Sequence, residues 1–285
     1  MKLIMLLSLG LFAVTFASGS ARTMDQEKKV IPADGAQRVN LDLNFGLGEL
    51  TISPGSDADV AVIDLDRDLS RVRESFEYET RGGTAYVTLE SRPRSKSHNL
   101  DSHDNIWDMT LSNRLPIDAR LEIGVCEADV ELGGLPLTGL KVEMGAASGT
   151  ISFSEPNPKR LKEINIEAGA SSLKLLDLGN ARFDYMKFSG GAGSFDLDFR
   201  GKFEGESEVV IEVGVASADI ILPEGVAVRI EAEEDNWFSS IDIPKRKLER
   251  VDDGVYESRD YAEAANRILL KIEVGLGSVD VRWKP

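Results

Sequence analysis

Two short alternations of apolar and polar residues meet at a glycine, and this arrangement recurs seven times along the chain. Aligned without a gap, the copies read LNFGLGELTIS (43–53), LEIGVCEADVEL (121–132), VEMGAASGTISF (142–153), IEAGASSLKLLD (166–177), FSGGAGSFDLDF (188–199), IEVGVASADIIL (211–222) and IEVGLGSVDVRW (272–283). Three positions before the shared glycine every residue is apolar, from Leu43 and Leu121 to Ile272, and six positions after it the same holds, from Ile52 to Val281. Between them, five after the glycine, polar residues such as Thr51, Asp129 and Asp280 intervene. A period of two is the mark of a half-buried strand. Each copy therefore predicts strand, sharp bend, strand.

The shared glycines are Gly46, Gly124, Gly145, Gly169, Gly191, Gly214 and Gly275, with middle spacings of 21, 24, 22 and 23 residues and outer spacings of 78 and 61. A unit of that length, rich in aliphatic and β-branched residues and without a 3.6-residue period, predicts coils stacked about 4.8 Å apart. The expected fold is all-β: a single right-handed β-helix with short glycine-cornered coils and extra hairpins at its ends. A leucine-rich repeat would need its leucine and asparagine pattern, and a propeller blade about twice the spacing. Glycine at the corner is expected to supply a positive φ. Two residues later stand Gly48, Cys126, Ala147, Ser171, Gly193, Ala216 and Gly277, all small, as tightly stacked corners require. This column selects size, so Cys126 reads as a small core-facing residue rather than a reactive thiol or metal ligand.

Two before the glycine, five copies carry glutamate: Glu122, Glu143, Glu167, Glu212 and Glu273. In register they form a ladder of like charges, which is destabilising unless neutralised. Arg120, Lys141, Lys187 and Lys271 precede them on the same face, so solvated diagonal ion pairs are the expected neutralisers; a Ca²⁺ site is the alternative reading.

Outside the copies the pattern is irregular. Residues 1–21 combine a Lys2 start, an apolar run from Leu3 to Phe16 and small residues at 17–21, the composition of a cleaved secretory signal. Residues 22–37 read as a linker, 38–116 as an N-terminal β segment, and 117–285 as regular coils interrupted by an insert at 235–267. Gly82-Gly83 predicts a two-residue hairpin turn, with its strands broadening the first coils or capping the end of the stack. The polar loop at 92–106 holds both histidines; His98, Asp101, His103 and Asp104 are weak candidates for a metal site, against a plain solvated loop. Trp237 and Phe238, in the insert, are candidates for a contact patch or an end cap.

Composition narrows the partners. The 285 residues include 33 basic and 49 acidic side chains, a net charge of −16, which disfavours nucleic acid and anionic lipid surfaces. With 42% apolar residues and one cysteine, the chain is neither disordered nor a disulfide scaffold. It contains no nucleophile elbow, phosphate loop or paired-histidine zinc motif, so no catalytic residue and no cofactor are assigned.

The opening LDLNFGLGELTISPGS, the EVGVASADIILP and IEVGLGSVDVRW units and the stretch GVYESRDYAEAANRILLKIEVG resemble the bacterial toastrack proteins. That group includes adhesin-like secreted proteins and the C-terminal domain of a membrane protein of the cell-wall-antibiotic response. The resemblance implies a β-helical domain and supplies no catalytic residues. Its antibiotic-response members carry N-terminal transmembrane helices that have no counterpart in this sequence. The expected function is an exported, non-enzymatic interaction or structural module of the cell envelope, periplasmic or extracellular, with an envelope protein or glycan as partner and no stable membrane anchor once the signal is removed. A carbohydrate-active enzyme on the same scaffold is the alternative.

Overall fold

The computed structural model describes residues 24–56, 58–95, 102–233, 239–244 and 246–284. The proposed signal segment, His98, Asp101, Trp237 and Phe238 lie outside the described residues. No α-helix occurs among those described; the chain is built from strands and two single-turn 3₁₀ segments. The N-terminal part contains β1 (Asp25–Pro32), β2 (Arg38–Ser56), β3 (Asp59–Arg67), β4 (Val72–Arg81), β5 (Thr84–Pro93) and β6 (Asn105–Ser112). Then follow β7 (Ile117–Glu131), β8 (Leu137–Met144), β9 (Ser148–Ser152), β10 (Leu161–Leu176), β11 (Phe183–Asp198) and β12 (Glu206–Pro223). The last are β13 (Ala227–Glu233), β14 (Ser239–Asp242), β15 (Glu249–Asp252), β16 (Val255–Glu257) and β17 (Arg267–Lys284).

The seven copies pair in parallel, register to register. Leu43 lies opposite Leu121, Leu121 opposite Val142, Val142 opposite Ile166, and the row runs on through Phe188, Ile211 and Ile272. Every member of this row, and of the row six after the glycine, is at most 2% exposed. Each such aliphatic side chain stabilises the stack by about 1.5–3 kcal/mol through burial. A one-residue slip would turn both rows to water, so the alternation fixes the register.

Chain order and stacking order differ at both ends. The first copy, on β2, lies between β7 on one side and β5 with β6 on the other. The last copy, on β17, lies between β12 and the pair β13, β14. The outermost parallel layers are therefore the two irregular ones, each made of two separate strands, β5 with β6 and β13 with β14. The outer spacings of 78 and 61 residues are the lengths of chain that make an outer layer and then return inside it.

The N-terminal layer is extended and closed by antiparallel strands, as the Gly82-Gly83 turn predicts; both glycines have positive φ, at 56° and 77°. β4 covers β5, while β3 covers β6 and is itself covered by β1. The assignment of residues 22–37 to a linker is thus corrected by β1. Of its eight residues only Ile31 is buried, because an edge strand beside a charged neighbour needs no apolar face and leaves no alternation to read. Phe45, Phe76 and Trp107 fill the space beneath, with ring centroids 5.5 Å and 5.2 Å from that of Trp107. Arg67, only 2% exposed, ties the arms together through Glu74 of β4, Glu27 of β1 and the carbonyl of Asp25. At the other end the β15–β16 hairpin covers β13.

The expected positive φ at the shared glycine is not what the structure shows. None of the seven has one; positive φ occurs two residues on, at Gly48 (130°), Gly193 (146°) and Gly277 (144°). The shared column excludes side chains for a different reason. A Cβ on Gly124 would sit 2.3 Å from the Gly46 carbonyl oxygen, and on Gly169, Gly191, Gly214 or Gly275 within 2.7–2.9 Å of the carbonyl oxygen of the adjacent glycine in the stack. Stacking distance, rather than backbone twist, selects glycine there.

Candidate interaction surface

At each bend two successive residues face outward, the glycine and the one after it, before the inward alternation resumes. A groove of about 750 Å³ follows the glycine column along the stack, lined from Asn44 to Gly275. Backbone glycines form its floor. The glutamate row forms a wall: Asn44, Glu122, Glu143, Glu167, Ser189, Glu212 and Glu273 lie in unbroken register.

The predicted ion pairs are present in part. Arg120 bridges Glu122 and Glu143 at 2.7 and 3.0 Å, Lys141 pairs with Glu143 at 2.8 Å, and Lys187 with Glu212 at 2.7 Å. Lys271 turns instead to Glu208, one layer over, at 2.6 Å. Among the described residues, Glu167 and Glu273 have no ion-pair partner. These neighbours set the acid response. Lys141 beside Glu143, and Lys187 with Ser189 beside Glu212, hold those carboxyls below their usual range, as Lys29 and Arg67 do for Glu27 and Lys202 does for Glu204. A lowered carboxyl contributes stability that is complete above its unfolded pKa, near 4.5, and is lost as pH falls through the folded value. Asp177 runs the other way, raised by burial and then by the charge of Asp198, so its effect is stabilising in acid. The four lowered carboxyls outnumber it. We expect the urea midpoint to hold between about pH 7 and 5 and to drop below about pH 4; a midpoint that rises on acidification would contradict this balance.

Beside the groove floor runs a row that the search for strand alternation passes over, one residue after each glycine: Leu47, Val125, Ala146, Ala170, Ala192, Val215 and Leu276. All seven are apolar, yet the row faces solvent. Val125, Val215 and Leu276 are 56%, 60% and 46% exposed, three of the eight large apolar side chains that stand exposed among the described residues. The sequence signal was present in the same alignment, but an apolar column next to a bend is indistinguishable from core until the bulge that turns it outward is seen.

Cys126 occupies its expected place in the small column. It is a free, buried thiol, 7% exposed, and burial followed by the charge of Glu127 pushes its pKa up to about 12. It is inert as a nucleophile at neutral pH. Cys126→Ser should melt close to the parent and Cys126→Leu lower stability by about 1–3 kcal/mol through overpacking, with iodoacetamide labelling the native thiol only after denaturation. Equal damage from Ser and Leu would overturn the size argument.

Of the metal candidates, His103 and Asp104 are described and they do not converge. His103 is exposed, with Nε2 3.5 Å from Glu49, whereas Asp104 is fully buried and binds Arg71 at 2.9 Å. Among the described residues, no group of three or more His, Cys, Asp or Glu is placed to hold a metal ion, and no helix is long and apolar enough to cross a membrane.

Fold and surface together define an all-β repeat protein whose stacked bends present an apolar row beside an acidic groove. The model for the N-terminal domain of toast_rack, DUF2154, matches residues 20–176, just over half of the chain. The protein belongs to the toast_rack family. No curated protein matches it in sequence. Among solved structures, it is similar to a candidate cell adhesion protein from Clostridium sporogenes at 22% identity, covering 92% of this chain and 100% of that one with a TM-score of 0.47. It is also similar to a candidate adhesin from Bacteroides fragilis at 10% identity, covering 92% and 98% with a TM-score of 0.40, and to a candidate lipid-binding protein from Parabacteroides distasonis at 12% identity, covering 92% and 97% with a TM-score of 0.32.

Proposed function

We propose that the protein is an exported, non-enzymatic, adhesin-like interaction module of the bacterial cell envelope, built as one right-handed solenoid and docking on an envelope component through its bends. The observation that carries this reading is the exposed aliphatic row: an outward position that is apolar in all seven aligned copies, with Val125, Val215 and Leu276 standing exposed on a surface otherwise rich in charge, suits a face that a partner covers. Membership of the toast_rack family supports an extracytoplasmic scaffold of this kind.

Chemistry on the described surface points away from catalysis. Among the described residues the one carboxyl held above its usual range is Asp177, raised by burial and then by the charge of Asp198, with Arg200 acting against the shift. Active sites gather several perturbed groups in one cleft. The groove glutamates are instead paired with cations or open to water.

The test uses the purified mature chain, residues 22–285. It should leave peptidoglycan, pectin-like and β-glucan polymers intact and should bind an envelope fraction. Changing Val125, Val215 and Leu276 together to Ser should weaken that binding, as should Trp237→Ala with Phe238→Ala if the insert contributes to the contact. Turnover of any of these polymers, abolished by a single carboxylate substitution, would contradict the reading.

A further inference from the structure

We propose that the bend groove receives a single extended peptide segment carrying aliphatic side chains on one side and cationic side chains on the other. This rests on the interaction-module reading above and adds the chemistry of the partner.

The rows set the length. Seven layers, six steps of about 4.8 Å, give about 29 Å, and the groove of about 750 Å³ runs along them, open to solvent, beside the glutamate row. At about 3.3 Å per residue, some nine residues of one extended chain run the whole length.

The walls select the side chains. Val125, Val215 and Leu276 each follow a floor glycine directly and stand exposed beside the groove, outside its lining, so a segment seated in the groove would cover them only with aliphatic side chains that reach over that side. Opposite, Glu167 and Glu273 have no ion-pair partner among the described residues, and a cation reaching them displaces no existing pair. The net charge of −16 repels an acidic segment and a second copy of this chain alike. No aromatic side chain lines the groove, so the ring faces of an amino-sugar polymer find no stacking platform, and a peptide is favoured over a cationic glycan. In an extended segment, alternation sorts the two kinds of side chain to its two sides.

The probe is a fluorescent nine-residue peptide alternating Lys and Val, with two controls: Glu in place of Lys, and Ser in place of Val. Anisotropy with the full mature chain should show binding of the Lys/Val peptide alone, weakening as salt is raised. Glu167→Gln with Glu273→Gln should lower affinity about tenfold, and so should the triple serine change at Val125, Val215 and Leu276. All five positions are exposed or lie at the surface, so melting should be unchanged, and the salt dependence of the unaltered chain is a second readout should a variant fold poorly. Failure of the Lys/Val peptide to bind, equal binding of either control, or indifference to salt overturns the proposal. Polymer turnover would instead overturn the non-enzymatic reading, whichever peptide binds.

Discussion

Arg67→Met will lower the stability of the protein by about 3–5 kcal/mol, the usual effect of removing one partner from a buried ion pair. Arg67 is 2% exposed, and its guanidinium meets Glu74 at 2.7 Å and Glu27 at 2.5 Å while also donating to the Asp25 carbonyl at 3.0 Å. One side chain on β3 thus holds β4 and β1 against the end of the stack. Without it, Glu74, whose side chain is 13% exposed, keeps a charge with no compensating partner. Replacing Glu74 as well, in Arg67→Met with Glu74→Leu, should recover at least half of the loss, since an apolar pair of similar volume replaces buried ions at little net cost. Urea denaturation of the three proteins measures both effects. A single-variant loss below about 1 kcal/mol, the size of an exposed salt bridge, would show that the arms are held by packing around Trp107 instead.

Gly193→Ala is expected to cost about 2–6 kcal/mol, combining strain at a φ suited to glycine with overpacking. Its φ is 146°, and a Cβ would lie 1.8 Å from the Ser171 carbonyl oxygen. That oxygen belongs to the backbone of the next layer and cannot move aside without shifting the layer. Gly225, with φ at 79° and open space around it, is the control: Gly225→Ala should cost only about 1–2 kcal/mol. Thermal melts of the two variants separate the backbone contribution from the stacking contribution, and equal losses would mean that the close approach of layers adds nothing.

These two positions illustrate what the sequence makes legible. The stacking rows were readable because each inward position repeats a chemical requirement seven times, and repetition separates requirement from accident. Parallel pairing in register and the size-selected place of Cys126 follow from that alignment, and the N-terminal hairpin follows separately from the Gly82-Gly83 pair. Arg67 is different. Among the described residues a buried arginine occurs once, its partners are 40 residues before and 7 after it, and nothing local marks it as buried. The stacking order was also hidden, because copies related by sequence spacing alone do not say which strand returns between which neighbours. For the surface, the glutamate row was visible as a column, but its partial neutralisation was not: Lys271 chooses Glu208 of the adjacent strand over Glu273 of its own. The exposed aliphatic row stood in the same alignment and looked like core. Trp237 and Phe238, singled out because they break the pattern, lie outside the described residues, as do His98 and Asp101; the patch that emerged came instead from positions that keep the pattern.

The continuous groove and aliphatic row depend on the last copy lying between β12 and the pair β13, β14, and that placement is open to direct measurement. In a Cys126→Ser background, Ser217→Cys with Ser278→Cys joins residues that are direct neighbours across β12 and β17, whereas Ser217→Cys with Ser240→Cys spans two layers, since Ser240 pairs with Ser278. Two layers are about 9.6 Å, beyond the roughly 7 Å at which two Cα atoms can be bridged by a disulfide. Mild oxidation of the folded protein should close the 217–278 disulfide and leave the 217–240 pair reduced. Closure of 217–240 with 278 free would place the copies in chain order, and the uninterrupted binding surface would be lost with them.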